Sequence, residues 1–264
     1  MQTNGVLESI RGGRPVLGPV ITMTDEFVVE LIGNAGFDFV LIDTQHSPIG
    51  VETLQRLLIA LQASTSTVFV RIPWNDTAAI CQVLDLGADG IIVPLVNTAD
   101  DARRAVAAAK YPPEGNRSWG PRRAARIHGG PELYGRNANE RIMVLPQIET
   151  DEAVSNLDEI LDVSGISGIM IGPADLANSL GYSEDRSSLD VERVIERVLD
   201  RCLEQGVPFG HFTNTVERSR HWIERGALIT TCGVDVAYVS NAIAQQLADI
   251  AVLRSESRPR PVTA

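Results

Sequence analysis

MVLPQIETDEAVSNLDEILDVSGISGIMIGPAD, residues 143–175, decides the fold. It divides into an apolar run (Met143 to Ile148), a carboxylate at its end (Glu149), a helix-like segment, a second apolar run (Ile166 to Ile171) and a second carboxylate (Asp175). Neither run alternates between polar and apolar residues, so both read as strands covered on two faces. Two parallel strands joined by a crossover helix bring Glu149 and Asp175 to the same sheet edge. In barrels and doubly wound sheets that edge is where ligands bind. Two hard oxygen donors side by side suit a divalent cation such as Mg²⁺ or Mn²⁺.

The same rhythm extends in both directions. Towards the N-terminus the strand-like runs are Pro15 to Ile21, Phe37 to Ile42, Thr67 to Val70 and Gly90 to Val93, separated by helical stretches at 25–35, 51–61, 77–86 and 100–110. Towards the C-terminus, helix 189–205, strand Val207 to His211, helix 216–225, strand Ala227 to Thr231 and helix 237–253 follow. Eight such units with right-handed crossovers predict an α/β fold, a single (β/α)8 TIM barrel over residues 1–253. Residues 111–140, beginning YPPEGNRSWGPRR, carry no periodicity and read as a long excursion placed over the mouth of the site. Residues 254–264 read as a polar, mobile tail.

Composition narrows the partners. With 23 basic and 34 acidic residues the net charge is −11, which argues for solubility and against a nucleic-acid partner. An anionic substrate then needs a local cation, so an arginine at the site matters. The cysteines, Cys81, Cys202 and Cys232, have no CxxC spacing and read as free thiols of a reducing cytoplasm. The start of the chain lacks an apolar signal core, and no run of about 18 apolar residues suggests a membrane span.

In a barrel the polar residues at the strand ends share one face. They are Asp43 and His46 after strand two, Arg71 after strand three, Gln147 and Glu149 after strand five, and Asp175 after strand six. Each has a plainer reading. Glu149 also suits the start of a helix by its charge, and Asp175 suits the cap of a short helix. Taken together, two facing carboxylates repel unless a cation lies between them. His46 is either a loop residue or an acid/base whose ring Asp43 orients. Arg71 is either an ion-pair partner or the clamp for a carboxylate or a developing oxyanion. Gly172, Pro173, Ala174 and Asp175 form a tight turn or offer N–H groups to a carboxylate. His211 reads as a core histidine. Trp119, Arg122 and Arg123 read either as a solvated basic turn or as a lid facing the substrate. Lys110, the only lysine, ends a helix rather than a strand, which disfavours Schiff-base chemistry.

FDFVLIDTQHSP, VFVRIPWND, GADGIIVPLVNTADDARRAVAAAKYPPEGNRSWG, VLPQIET and GIMIGPADLANSLGY together resemble the HpcH/HpaI aldolases, in matching order, from about Arg14 to Leu247. The resemblance implies a divalent-metal-dependent (class II) pyruvate aldolase using Mg²⁺, Mn²⁺ or Co²⁺ and no organic cofactor. It implies cleavage of a 4-hydroxy-2-oxo acid through a metal-stabilised enolate to pyruvate, or an analogue such as hydroxypyruvate, and an aldehyde. On this likeness Glu149 and Asp175 are the metal ligands, and His46 with Asp43 is the acid/base. Arg71 holds the C2 oxygen, Gln147 is the amide beside the metal, and Gly172 to Asp175 receive the pyruvate carboxylate. It also implies a final helix packed on, or exchanged with, a neighbouring subunit in a trimer or a hexamer built as a trimer of dimers.

The sequence departs from the family at Thr44-Gln45, where Gly-Glu is common, around Val20 and Ile21, where an aromatic is common, and at His211-Phe212-Thr213, which is usually aliphatic. These departures bear on the aldehyde acceptor rather than on the pyruvate half. The alternatives are another enolate-forming C–C lyase on the same scaffold, acting on acyl-coenzyme A esters or forming C–C bonds with decarboxylation, and a non-catalytic barrel that binds a small acid.

Overall fold

The structure is a computed structural model that describes residues 4–185 and 188–256. Its strands are Val16–Ile21 (β1), Phe39–Asp43 (β2), Thr67–Arg71 (β3), Gly90–Val93 (β4), Met143–Ile148 (β5), Ile169–Ile171 (β6), Phe209–His211 (β7) and Ile229–Val234 (β8). All pair in parallel with their neighbours, and β8 pairs with β1 to close the barrel. The helices are Gly5–Arg11 (α1), Glu26–Gly33 (α2), Val51–Ala60 (α3), Thr77–Asp85 (α4), Ala99–Ala109 (α5), Arg122–Ile127 (α6), Pro131–Arg141 (α7), Asp151–Ser155 (α8), Leu157–Leu161 (α9), Pro173–Ser179 (α10), Leu189–Gln205 (α11), Val216–Glu224 (α12) and Asp235–Glu256 (α13).

The apolar strand runs serve two cores. Phe39, Leu41, Phe69, Ile92, Met143, Leu145, Met170 and Ile229 fill the barrel interior. Their neighbours in sequence, such as Val40, Ile42, Val68, Val70, Ile91 and Val144, pack outward against the helices. This two-sided burial is why the strands do not alternate in sequence. Five helices that follow strands start with the same device: Asp25, Asp76, Thr98, Thr150 and Thr215 each accept the backbone N–H three residues on. An element not expected from the sequence, α1, plugs the amino end of the barrel, where Val6 and Ile10 join the interior core. Its signal is short: Asn4 caps Leu7, and two apolar residues follow at helical spacing.

Three expectations need correction. The single helix-like segment expected between Glu149 and Ile166 is two short helices, α8 and α9, because Asn156 leaves helical geometry and donates its amide to the Asn97 carbonyl at 2.9 Å. Residues 254–256, expected in the tail, instead continue α13, and the rest of that segment lies outside the described residues. The third concerns residues 111–140, which do not cover the mouth. They contain α6 and most of α7, and they connect the end of α5 to the start of β5. Both of those points lie at the amino end of the barrel, because helices return antiparallel to the strands they follow.

The contacts agree. Arg141 pairs with Asp89, the residue just before β4. Arg123 donates to the carbonyls of Leu86 and Leu58, at the carboxyl ends of α4 and α3, and so acts as a shared cap rather than a lid residue. Arg122 is exposed. Lys110 is 4% exposed, burial pushes its pKa down to about 8, and Nζ donates to the carbonyls of Asn139 and Ile142.

α13 leaves the barrel at the end of β8, and Val239, Ile243, Leu247 and Leu253 on it are exposed. By length and composition residues 235–255 could cross a membrane, with a mean hydropathy of 1.2. The polar residues Gln245, Gln246 and Asp249 lie between these apolar ones in sequence.

Lys110→Met keeps the aliphatic stem but strips two buried carbonyls of their donor. Chemical denaturation should show a loss of about 1–3 kcal/mol; unchanged stability would mean the ammonium group does not hold α7.

Candidate active site

Asp43 and Arg71 end β2 and β3 as register partners, so their side chains leave the sheet side by side. Arg71 Nε donates to Asp43 Oδ1 at 2.9 Å and Nη2 to Oδ2 at 2.5 Å, a bidentate pair that fixes the plane of the guanidinium. Asp43 is 2% exposed. Burial alone would push its pKa up. The hydrogen bond and charge of Arg71, with the N–H groups of Gln45 and His46, outweigh that and hold it below the usual carboxylate range.

The expected contact between Asp43 and the His46 ring is not formed. Asp43 Oδ1 meets the backbone N–H of His46 at 3.4 Å and that of Gln45 at 3.0 Å, so it shapes the loop and leaves the exposed ring free. Both oxygens already serve other donors, Arg71 taking each of them and the Gln45 and His46 amides sharing Oδ1. Thr44, one of the departures from the family, donates N–H and Oγ1 to the Arg71 carbonyl at 3.0 and 2.6 Å. Phe212, another, lays its ring 5.1 Å from the guanidinium carbon of Arg71. Nη1 of Arg71 carries no hydrogen bond among the described residues.

Gln147 and Glu149 are two residues apart at the end of β5, and each is 1% exposed. Gln147 Nε2 donates to Glu149 Oε2, and the Leu95 N–H donates to Oε1 at 2.7 Å. Gln147 Oε1 is buried with no hydrogen-bond partner among the described residues, so it is an acceptor open to a ligand or water. Glu149 is not a helix cap, since Thr150 fills that role for α8. Burial raises the Glu149 pKa, and the charge of Asp175 adds to the rise; the Leu95 N–H, the Arg71 charge and the Gln147 amide oppose it.

Asp175 sits in the first turn of α10, whose N-cap is Gly172, so it is not a cap either. Its side chain is exposed. Gly172 offers no capping side chain and Pro173 no N–H, so among the described residues the Ala174 and Asp175 amides have no side-chain cap at the start of this helix. The backbone at Gly172 lies against the site: a Cβ there would be 2.5 Å from Glu149 Oε2 and 2.6 Å from Gln147 Nε2, so either end must shift to admit one.

The other candidates fall elsewhere. His211 points out of the barrel and stacks on Trp222 with centroids 4.7 Å apart. Its Nδ1 contacts the Phe212 carbonyl at 2.8 Å, and burial pushes its pKa down to about 3, as for a neutral core histidine. Trp119 packs on Tyr111 in the excursion. Leu95 and Phe212 were missed as site residues because apolar side chains give no chemical signal in a sequence.

Among the described residues no group of three or more His, Cys, Asp and Glu side chains is placed to hold a metal. A cation here would have Glu149 and Asp175 and take its remaining donors from water or ligand. The donor set suits Mg²⁺ or Mn²⁺, which keep several non-protein ligands. The charge of Asp175 on buried Glu149 and the orphaned Gln147 oxygen both fit such a group.

The sequence profile described as HpcH/HpaI aldolase/citrate lyase matches residues 21–242. The chain is 38% identical over 241 residues to 4-hydroxy-2-oxo-heptane-1,7-dioate aldolase of Escherichia coli, covering 90% of this chain and 92% of that one. It superposes with a TM-score of 0.89 on an HpcH/HpaI aldolase/citrate lyase family protein from Burkholderia cenocepacia J2315, at 30% identity over 94% of this chain and 100% of that one. A citrate lyase beta subunit from M. tuberculosis, complexed with oxaloacetate and magnesium, shares only the fold, at 16% identity and a TM-score of 0.56 over 84% of this chain and 92% of that one.

Gly172→Ala should push Glu149 and Gln147 aside. Calorimetric titration with Mn²⁺ should show affinity weakened roughly 10- to 100-fold; an unchanged affinity would place the ion away from Glu149.

Proposed function

The chain belongs to the HpcH/HpaI aldolase/citrate lyase family and is a lyase-type enzyme; we propose that it catalyses reversible aldol cleavage of 4-hydroxy-2-oxo acids to pyruvate, or an analogue such as hydroxypyruvate, and an aldehyde. The observation that carries this reading is a nearly inaccessible carboxylate, Glu149, under the charge of Asp175, on the same barrel face as a guanidinium locked by Asp43. Glu149 and Asp175 would hold a divalent cation, Mg²⁺, Mn²⁺ or Co²⁺. When bound, it supplies Lewis-acid polarisation of the keto acid.

The remaining work falls to the chain. The substrate carboxylate is received by the Ala174 and Asp175 amides at the start of α10. Arg71, its plane fixed by Asp43 and its face covered by Phe212, presents Nη1 to the C2 oxygen, where charge develops. The exposed imidazole of His46 removes the proton of the C4 hydroxyl. The C3–C4 bond then breaks, the hydroxyl carbon leaves as the aldehyde carbonyl, and the bonding pair moves towards the C2 oxygen. Return of one proton from His46, through water, to C3 gives the keto-acid product and resets the imidazole. Gln147 Oε1 accepts a hydrogen bond from a water or hydroxyl in the site. Lys110 takes no part, being held at the opposite end of the barrel.

The exposed apolar residues of α13 support packing on a second copy, so the working unit is a homo-oligomer. Free cysteines and the acidic surface support a cytoplasmic setting.

Treatment with EDTA should abolish pyruvate formation from a 4-hydroxy-2-oxo acid, and Mn²⁺, Co²⁺ or Mg²⁺ should restore it; full activity after chelation contradicts the cation. Arg71→Ala should lower kcat by about 10²- to 10³-fold, read in a coupled pyruvate assay, whereas a rise in KM alone would make it a binding residue. His46→Ala should slow cleavage by about 10²- to 10⁴-fold with Mn²⁺ affinity unchanged, and an unaffected rate removes it from the reaction.

A further inference from the structure

We propose that Leu95 is a positioning residue for Glu149, acting through a backbone locked in the left-handed conformation. The inference rests on the reading of Glu149 as a cation ligand. Leu95 has φ +52°, and among the described residues it is the only non-glycine with positive φ. A residue with a Cβ adopts this region at a cost, and leucine lacks the short polar side chain that eases it for Asn or Asp. Such a conformation persists only where the surroundings over-determine it.

Here they do. The Asn97 side chain accepts a hydrogen bond from Thr150 Oγ1 at 2.6 Å, and the Asn97 carbonyl accepts one from Asn156 Nδ2 at 2.9 Å. The N–H groups of Asn97 and Thr98 both donate to Asp101 Oδ2, at 3.1 and 2.9 Å. The loop after β4 is thus fastened to α5 on one side. On the other it is fastened to Thr150, the residue after Glu149, and to the break between α8 and α9. What this fastening delivers is one N–H, from Leu95, on Glu149 Oε1 at 2.7 Å. Gln147 takes the other oxygen, so the two donors fix the carboxylate plane. A side chain held by a backbone amide keeps its place whether or not an ion is present, whereas one held only by the ion does not.

The test is calorimetric titration of the full chain with Mn²⁺ alone. Leu95→Val puts a β-branched residue where φ is positive, and Leu95→Pro removes the N–H and forbids the φ. Each should weaken Mn²⁺ binding roughly 10- to 100-fold. Leu95→Asn and Leu95→Gly accept the conformation and keep the donor, so they should bind Mn²⁺ nearly as the parent does. A folded Val or Pro variant with parental affinity overturns the proposal. So does an Asn or Gly variant as weak as Val, which would assign the effect to the leucine side chain. Amide hydrogen exchange supplies a measurement that needs no variant at 95 to fold. The Leu95 N–H should be protected in the parent and exposed in Glu149→Ala, and free exchange in the parent also overturns it. A parent that binds no Mn²⁺ removes the cation reading of Glu149 and this inference with it, whereas failure confined to the Leu95 measurements leaves that reading standing.

Discussion

Strands that run the same way round a closed ring must deliver all their carboxyl ends to one face, and all the returning helices to the other. Every functional arrangement in this chain follows from that direction. Asp43, Arg71, Glu149 and Asp175 come from four separate βα connections, and only the common polarity of the strands gathers them. The same polarity sends residues 111–140 to the amino end, because they lie between a helix and the next strand. There α1 fills the barrel's mouth with Val6 and Ile10, and Arg123 and Lys110 serve as donors to stray carbonyls. The division is between an end built for stability and an end built for chemistry.

At the chemical end the dominant problem is electrostatic. A carboxylate with 1% exposure is destabilised by burial and by a neighbouring acid, and two hydrogen bonds offset only part of this. Such an arrangement is one that a proton or a nearby positive charge relieves. Asp43 has the opposite situation. It is equally buried, yet a bidentate arginine and two backbone amides keep it ionised, so it serves as a fixed counter-charge. Two buried acids on one face thus take different roles because their donors differ. That contrast separates a structural carboxylate from one suited to bind a cation.

The loop after β4 shows how the scaffold supports this. No side chain of that loop is chemically reactive towards a keto acid, yet its hydrogen bonds to Thr150, Asn156 and Asp101 orient a single amide. Gly172 does the complementary task from β6, since the lack of a side chain there lets the backbone lie against Glu149 and Gln147. The departures at Thr44 and Phe212, expected to bear on the aldehyde acceptor, instead both end on Arg71, one on its carbonyl and one on its guanidinium face.

The sequence by itself determined the barrel, its strand count and the polar residues at the strand ends, because two-sided burial writes unbroken apolar runs and each run stops where solvent or ligand begins. It also sufficed for His211 as a core residue and for Lys110 as no Schiff-base candidate. Only the tertiary structure decided which donor each acid has: that Asp43 serves Arg71 rather than the His46 ring, and that Leu95 serves Glu149. Those pairings join residues 28 and 54 positions apart through geometry that local propensity does not encode. The placement of residues 111–140 was in principle legible, since a segment between helix and strand must return to the amino end. Its lack of periodicity concealed that its job is to cap helices and bury a lysine. The conformation of Leu95 and the space denied to a Cβ at Gly172 are properties of close packing, and they exist only once distant segments meet.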